Sequence, residues 1–116
     1  MILPAPSKIM LATTPIDMRK SYQGLGVLVQ TVLNQDPFSS TAFVFTNKKS
    51  DRLKILYWHI NGFCLFQKRL EEGQFLRPAQ GNGASCDLTA YQLQGLIHGI
   101  DWCTIPEPKA LSYQFI

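Results

Sequence analysis

The 116 residues predict one α+β domain: an antiparallel β-meander of three or more strands packed against an N-terminal amphipathic helix, with a second, short helix near the C-terminus. Three observations carry this. Tyr22, Leu25, Leu28, Val29, Val32 and Leu33 recur at helical spacing. Three β-type runs follow, the second and third joined by Asn61-Gly62, a dipeptide that accepts the positive φ of a tight hairpin. Thr89 and Gln92 then form the Thr-x-x-Gln signature of a helix start. An apolar content of 46% at this length is enough to bury a core without covalent staples. The domain is expected to span 1–116, with its core at 8–102 and a tail at 103–116.

Residues 8–13, KIMLAT, read as a short strand. Asp17 suits an N-cap, because its carboxylate can accept from free backbone N–H groups in the first turn, and the stripe predicts a helix over 18–33. Gly24 and Gly26 each weaken that helix by about 1 kcal/mol relative to alanine. The assignment puts Arg19 and Lys20 in the first turn, where the helix dipole opposes cations by some tenths of a kcal/mol each. An anion docked at the helix start would offset that cost through free N–H donors and charge-assisted contacts, or Asp17, Asp51 or another acid would neutralise the two cations within the fold. Residues 34–40, NQDPFSS, form a turn-rich loop.

The strands are expected at 41–47, 52–60 and 63–71, with Lys48-Lys49-Ser50-Asp51 as the first turn. If Asn61 and Gly62 are the hairpin loop, Ile60 pairs with Phe63, Trp58 with Leu65 and Lys54 with Arg69. One face then carries Leu53, Ile55, Tyr57, His59, Cys64, Phe66 and Leu70, which suits a core against the first helix. The other carries Arg52, Lys54, Leu56, Trp58, Leu65, Gln67 and Arg69, a mixture of cations and apolar groups, with Phe43 and Phe45 adjoining. Residues 74–86 contain Pro78 and the GNGAS stretch and read as a loop. The second helix begins at Thr89 and ends at Gly99.

Composition excludes several classes of function. Cys64, Cys86 and Cys103 are odd in number and contain no CxxC pair, which argues against a disulfide framework or a zinc site. There is no apolar run of membrane-spanning length, and Pro4 and Pro6 interrupt a start that has no basic leader region, so a cytoplasmic protein is expected. The eight acids are scattered, and Asp17, Asp36, Asp51 and Asp87 have capping or turn explanations. No phosphate loop, nucleophile elbow or HExxH pair occurs. Neither catalytic residues nor a metal nor a cofactor is expected, and the chain reads as a non-enzyme; His59 reads as a packed core histidine.

The net charge of +3 is concentrated: residues 48–77 hold seven cations against three anions. Cations that follow phosphates, interleaved with aromatic faces on which bases stack, form one established design for nucleic-acid binding. The same Leu56, Trp58 and Leu65 could instead be covered by the second helix, leaving Arg52, Lys54 and Arg69 as a solvated rim, or form a protein-docking hot spot, and the residues alone leave these readings open.

Three stretches together resemble a family: TPIDMRKSYQGL over 14–25, FVFTNKKSDRLKILYWHINGFCLFQKRLEEGQF over 43–75, and LTAYQLQGLIHGIDW over 88–102. They are similar, in the family's order, to the accessory TnpB or second-reading-frame proteins of the insertion-sequence-sixty-six group of bacterial transposons. The combination of DMRK, DRLKILYW and KRLE is the specific part. The chain departs from the family pattern at His59, where an acid is usual, and at Leu76-Arg77, where proline and tryptophan are usual. The resemblance implies a small protein encoded beside a separate, larger transposase and needed for transposition, with strand-transfer chemistry left to that partner.

The resulting expectation is a non-catalytic accessory protein for DNA transposition that binds DNA, or the transposase on DNA, through Arg19, Lys20, Lys48, Lys49, Arg52, Lys54, Lys68 and Arg69. No helix-turn-helix is visible, so sequence-specific readout is not expected. The alternative is a protein-interaction module using Leu56, Trp58 and Leu65 to hold the transposase. The expected partners are transposon-end DNA, the transposase and a sister accessory protein; a homodimer through a strand edge is compatible, a membrane is not, and the bound protein would associate with the nucleoid.

Overall fold

The computed structural model describes residues 5–78, 83–103 and 105. Its elements are β1 (Lys8–Ala12), α1 (Tyr22–Thr31), β2 (Thr41–Thr46), β3 (Arg52–His59), β4 (Gly62–Arg69), β5 (Ser85–Asp87) and α2 (Ala90–Ile97). The strands form one sheet in the order β4-β3-β2-β1-β5. The meander of β2, β3 and β4 is antiparallel as expected. The sheet as a whole is mixed, however, because β1 runs parallel to β2, with α1 as the crossover, and β5 pairs antiparallel to β1. A parallel neighbour requires such a crossover connection. The strand β5 takes up the last two residues of the stretch expected to be a loop and continues to Asp87; its pairing starts only where Ala12, Leu11 and Met10 offer a free edge. The centre of that stretch, 79–82, and the tail beyond 105 lie outside the described residues, as does 104.

Both faces of the sheet are covered. On one, Ile9, Leu11, Ala42, Val44, Leu53, Ile55 and Tyr57 pack with Leu93, Leu96 and Ile97 of α2 and with Phe75 and Trp102. On the other, Met10, Ala12, Phe43, Phe45 and Leu56 pack with Leu25, Val29 and Leu33 of α1 and its end. The expected assignment of α1 to the Leu53–Ile55–Tyr57 face is therefore corrected: α2 lies there, and α1 covers the mixed face. The reason is in β1 and β2, whose residues are apolar on both sides and need a layer on each. Full burial of a side chain such as Ile55 on one face or Phe43 on the other contributes about 1.5–3 kcal/mol, so neither face can be left open.

The start of α1 also differs from expectation. Asp17 does accept the Arg19 backbone N–H at 2.9 Å, but residues 17–20 close as a turn, with the Lys20 N–H donating to the Asp17 carbonyl at 3.2 Å. Ser21 is extended and the helix begins at Tyr22. The Lys54 ammonium explains the delay. It donates to the carbonyl oxygens of Met18 (2.6 Å) and Lys20 (2.9 Å), two groups a longer helix would have used internally. Arg19 and Lys20 thus precede the helix, and the dipole cost expected of them in its first turn does not arise. At the far end, Asn34 adopts φ 53° and Gln35 N–H bonds back to the Val29 carbonyl, which stops the helix.

The capping box of α2 is present as expected: Gln92 N–H donates to Thr89 Oγ1 at 3.1 Å and Thr89 N–H to Gln92 Oε1 at 2.9 Å. After its last turn, Gly99 takes φ +73°, a conformation that costs glycine little. The hairpin register is shifted from expectation. His59 pairs with Gly62, Trp58 with Phe63, Leu56 with Leu65 and Arg52 with Arg69. The loop is Ile60-Asn61, with Ile60 at φ 57° and Asn61 N–H bonded to the His59 carbonyl at 2.6 Å. Because each partner moves by two residues, every side chain keeps its expected face.

Candidate nucleic-acid interface

The turn between β2 and β3 is built around Asn47. Its side-chain carbonyl accepts the N–H groups of Asp51 and Arg52, both at 3.0 Å, and its amide donates to the Asp51 carboxylate at 2.6 Å. That last bond is the main reason the Asp51 carboxyl is held below the usual range; Arg52 and Arg69 add to it. Gln74 braces the same turn by donating to the Lys49 carbonyl at 3.0 Å. Ser50, at φ 57°, is buried, while Lys48 and Lys49 project outward.

Facing this turn is the turn over residues 17–20. The Asp17 carboxylate accepts from Arg19 Nε at 3.0 and 3.1 Å and from Nη2 at 2.6 Å. These bonds, with the backbone bond next, lower the Asp17 carboxyl to about 2. The Arg19 side chain stays 91% exposed. Between the two turns is an open hollow of about 400 Å³ lined by Arg19, Lys48, Lys49, Arg52 and Arg69, with Asp17 and Asp51 as its carboxylates. Five cations against two carboxylates leave a surplus of three positive charges. A second hollow of about 300 Å³ adjoins it and shares Met18, Arg52 and Arg69.

Within this hollow Arg52 and Arg69 are direct cross-strand partners on the exposed hairpin end. Like charges placed opposite one another on a sheet are unfavourable, so the pair is a point of positive potential that the nearby Asp51 carboxylate offsets only in part. The ion pairs among the described residues are Lys8–Asp87 and Arg19–Asp17; neither involves Arg52, Arg69, Lys48 or Lys49.

The remaining basic residues are placed differently. Lys20 is exposed outside this hollow, and Lys54 is 8% exposed with its ammonium on the two carbonyls described above. Lys68 donates to the Ile97 carbonyl at 2.8 Å, where a cation favours the C-terminal end of α2. Of the expected docking residues, Leu56 is fully buried under α1, Trp58 is half-buried, and Leu65 is exposed on the edge strand.

Sequence reasoning missed an aromatic cluster at the other end of the hairpin. Phe38 and Phe63 each set an edge against Trp58 at 5.0 Å between ring centroids; Phe38 and Phe63 lie 5.4 Å apart, and Tyr22 is 5.9 Å from Phe63. Phe38 is 54% and Tyr22 46% exposed. Tyr22 belonged to the apolar stripe but sits on the open flank of the helix. Phe38 stands in a loop of turn residues; the available signal was an aromatic directly after Asp36-Pro37, where the Asp36 carboxylate accepts the Phe38 N–H at 2.9 Å.

His59 stacks on Tyr57, Cys64 turns toward the α2 face, and Asp17 lies at the opposite end of the hairpin, so these three do not converge. Burial first, and Cys103 and Asp87 next, push the Cys86 thiol up. Among the described residues, no group of three or more His, Cys, Asp or Glu side chains is placed to hold a metal ion, and no helix is long and apolar enough to cross a membrane.

The fold and its surface define a small α+β protein with a mixed sheet, and with adjoining basic hollows and an aromatic cluster at opposite ends of the same hairpin. Comparison with known proteins gives the family. The profile of the family described as IS66 Orf2-like protein matches residues 7–107, and the chain belongs to that family, as its sequence resemblance implied. It is 38% identical to the uncharacterized protein y4jC of Sinorhizobium fredii over 98 residues, covering 84% of this chain and 83% of the relative. It is 37% identical to the uncharacterized protein y4hO of the same organism over 95 residues, covering 82% of each. No solved structure matches the chain. Family membership associates the protein with insertion-sequence transposition.

Proposed function

We propose that the protein is a non-catalytic accessory factor that binds DNA during transposition of its element, holding phosphates in the hollow formed by Arg19, Lys48, Lys49, Arg52 and Arg69. The observation that carries this reading is the juxtaposition of Arg52 and Arg69 across β3 and β4, ringed by three further cations, with no acid paired to either guanidinium among the described residues. Planar guanidinium forks suit phosphate oxygens, and a phosphate between them relieves their mutual repulsion. Lys54 and Lys68 are left out of the binding set because their ammonium groups already serve backbone carbonyls. Lys20 contributes only to the surrounding field. The partners we assign are DNA at the transposon ends and the transposase of the same element.

The test is a salt titration of binding to labelled duplexes carrying transposon ends or a scrambled sequence. Each phosphate contact contributes about 0.9 to the slope of log K against log salt on duplex DNA. The double variant Arg52→Gln/Arg69→Gln is expected to flatten that slope by about two and to weaken both duplexes alike. Unchanged binding in the double variant would reject the hollow as the phosphate site.

A second reading, a protein-interaction module that recruits the transposase or a sister accessory protein, is supported by exposed Leu65 on β4, an edge strand of the sheet among the described residues. It predicts binding to DNA only after transposase is added.

A further inference from the structure

We infer that the hairpin face joining the aromatic cluster to the basic hollow is a site for single-stranded DNA, with bases stacking on Phe38, Phe63 and Tyr22 while phosphates run toward Arg69 and Arg52. This rests on the DNA-binding reading and adds the form of nucleic acid that the site prefers.

The argument begins with the pleat. On β4, Phe63, Leu65, Gln67 and Arg69 point to one face, and their partners Trp58, Leu56, Lys54 and Arg52 on β3 point to the same face. The helix α1 covers Leu56, but Leu65, Gln67 and Arg69 stay exposed beside it. An open strip therefore runs along the sheet edge from Phe63 to Arg69, about 20 Å at the usual rise of a strand. It has aromatic rings at one end, arginines at the other and no acidic residue between them on β4. That length is comparable with the smaller site sizes of single-strand binders, about four nucleotides.

The aromatic end is shaped for flat, partly polar groups. A groove of about 220 Å³ separates α1 from the loop that carries Pro37 and Phe38; Tyr22, Phe38 and Phe63 line it with Gln23 and Gln30. The edge contacts of Phe38 and Phe63 on Trp58 hold the rings in place, so little side-chain freedom is lost on binding. The two glutamine amides can donate to and accept from base edges. Bases inside a duplex already stack on one another and offer no free face, whereas unpaired bases do. Asp36, two residues before Phe38, already accepts the Phe38 N–H, so it helps hold Phe38 in position. A purely apolar protein partner would leave the arginine end without a counter-charge.

The experiment uses the full chain and three fluorescein-labelled oligonucleotides of about 12 nucleotides, within the range of single-strand sites: a mixed-sequence single strand, its duplex, and the same strand with abasic positions. Anisotropy at equal salt is expected to show the single strand bound about tenfold more tightly than the duplex, with the abasic strand losing that advantage while keeping its salt dependence. Phe38→Leu and, separately, Tyr22→Leu should each weaken single-strand binding about fivefold or more and leave duplex binding unchanged. Both keep apolar bulk, and circular dichroism with thermal unfolding reports whether each variant is folded. Equal affinity for strand and duplex, with normal salt dependence, overturns this inference and leaves the phosphate-binding reading standing. So does an abasic strand that binds as well as the intact one. Binding of neither form overturns both.

Discussion

The Lys54 ammonium separates a structural from a binding role within a group of basic residues that look alike in sequence. Lys54→Met keeps the stem of the side chain beside Leu56 but deletes the two hydrogen bonds to the Met18 and Lys20 carbonyls, at 2.6 and 2.9 Å. Hydrogen bonds to charged groups contribute about 1.5–3 kcal/mol each. Met18 is half-buried and Lys20 exposed, so water can replace the lysine at part of this site and the lower end of the range applies. Removing an ammonium from a buried position returns some of the desolvation cost as well. The net expected loss is about 2 kcal/mol. With an unfolding entropy of about 2.1 cal/mol/K per residue, that lowers Tm by about 8 °C. Urea unfolding followed by circular dichroism should show a lower midpoint at constant m-value, and hydrogen exchange should accelerate at Leu25, whose N–H donates to the Ser21 carbonyl at 2.9 Å in the first turn of α1. A stability change below about 0.5 kcal/mol, together with a loss of DNA affinity, would refute the reasoning, because it would put the ammonium on the ligand instead of the two carbonyls.

Three further perturbations test other joints of the fold. Ile60 holds φ 57° at an 81% exposed hairpin tip, a poor conformation for a β-branched side chain, so Ile60→Gly should raise stability by about 1 kcal/mol in urea unfolding. A methyl group at Gly95 would meet Trp102 Cβ at 3.2 Å and press on Ile105, so Gly95→Ala should cost about 1–3 kcal/mol despite its better helix propensity. The Asp17 carboxyl should titrate by NMR at about 2 and return toward its ordinary value, near 3.9, in Arg19→Gln. Because its folded value is depressed, its contribution to stability is present above the unfolded value and is lost as pH falls through about 2.

The parts of the fold that local chemistry dictates were legible in the sequence. The capping box at Thr89 and Gln92, the antiparallel meander of β2, β3 and β4, and the two faces of the hairpin follow from short-range rules and are present. What was hidden depends on long-range choice. Whether β1 joins the sheet parallel or antiparallel, and which helix covers which face, is decided by the need to bury both sides of β1 and β2 at once. The apolar runs KIMLA and TAFVFT carried that signal, since neither alternates. The start of α1 was misplaced because Asp17 is a good cap for a local turn as well as for a helix, and only a lysine 37 positions later decides between them. For the site, Lys48, Lys49, Arg52 and Arg69 could be grouped from the hairpin alone. Phe38 and Tyr22 could not, because they reach the hairpin tip from a loop and a helix distant in sequence.

The same contacts tie the basic hollow to the core. Lys54 stands between Arg52 and Leu56 on β3: its neighbour on one side belongs to the hollow, and its neighbour on the other is buried under α1. Its ammonium holds the turn over residues 17–20, the turn carries Arg19, and Arg19 forms the wall of the hollow opposite Lys48 and Lys49. Packing of α1 on Phe43, Phe45 and Leu56 buries that lysine and so fixes where one cationic wall stands. A core variant such as Val29→Ala, remote from the hollow, should therefore affect DNA affinity when it loosens α1, by freeing the turn instead of removing a phosphate contact. The salt dependence distinguishes the two causes. A loosened wall lowers affinity while the Arg52 and Arg69 contacts keep most of the slope, whereas loss of a phosphate contact lowers affinity and slope together.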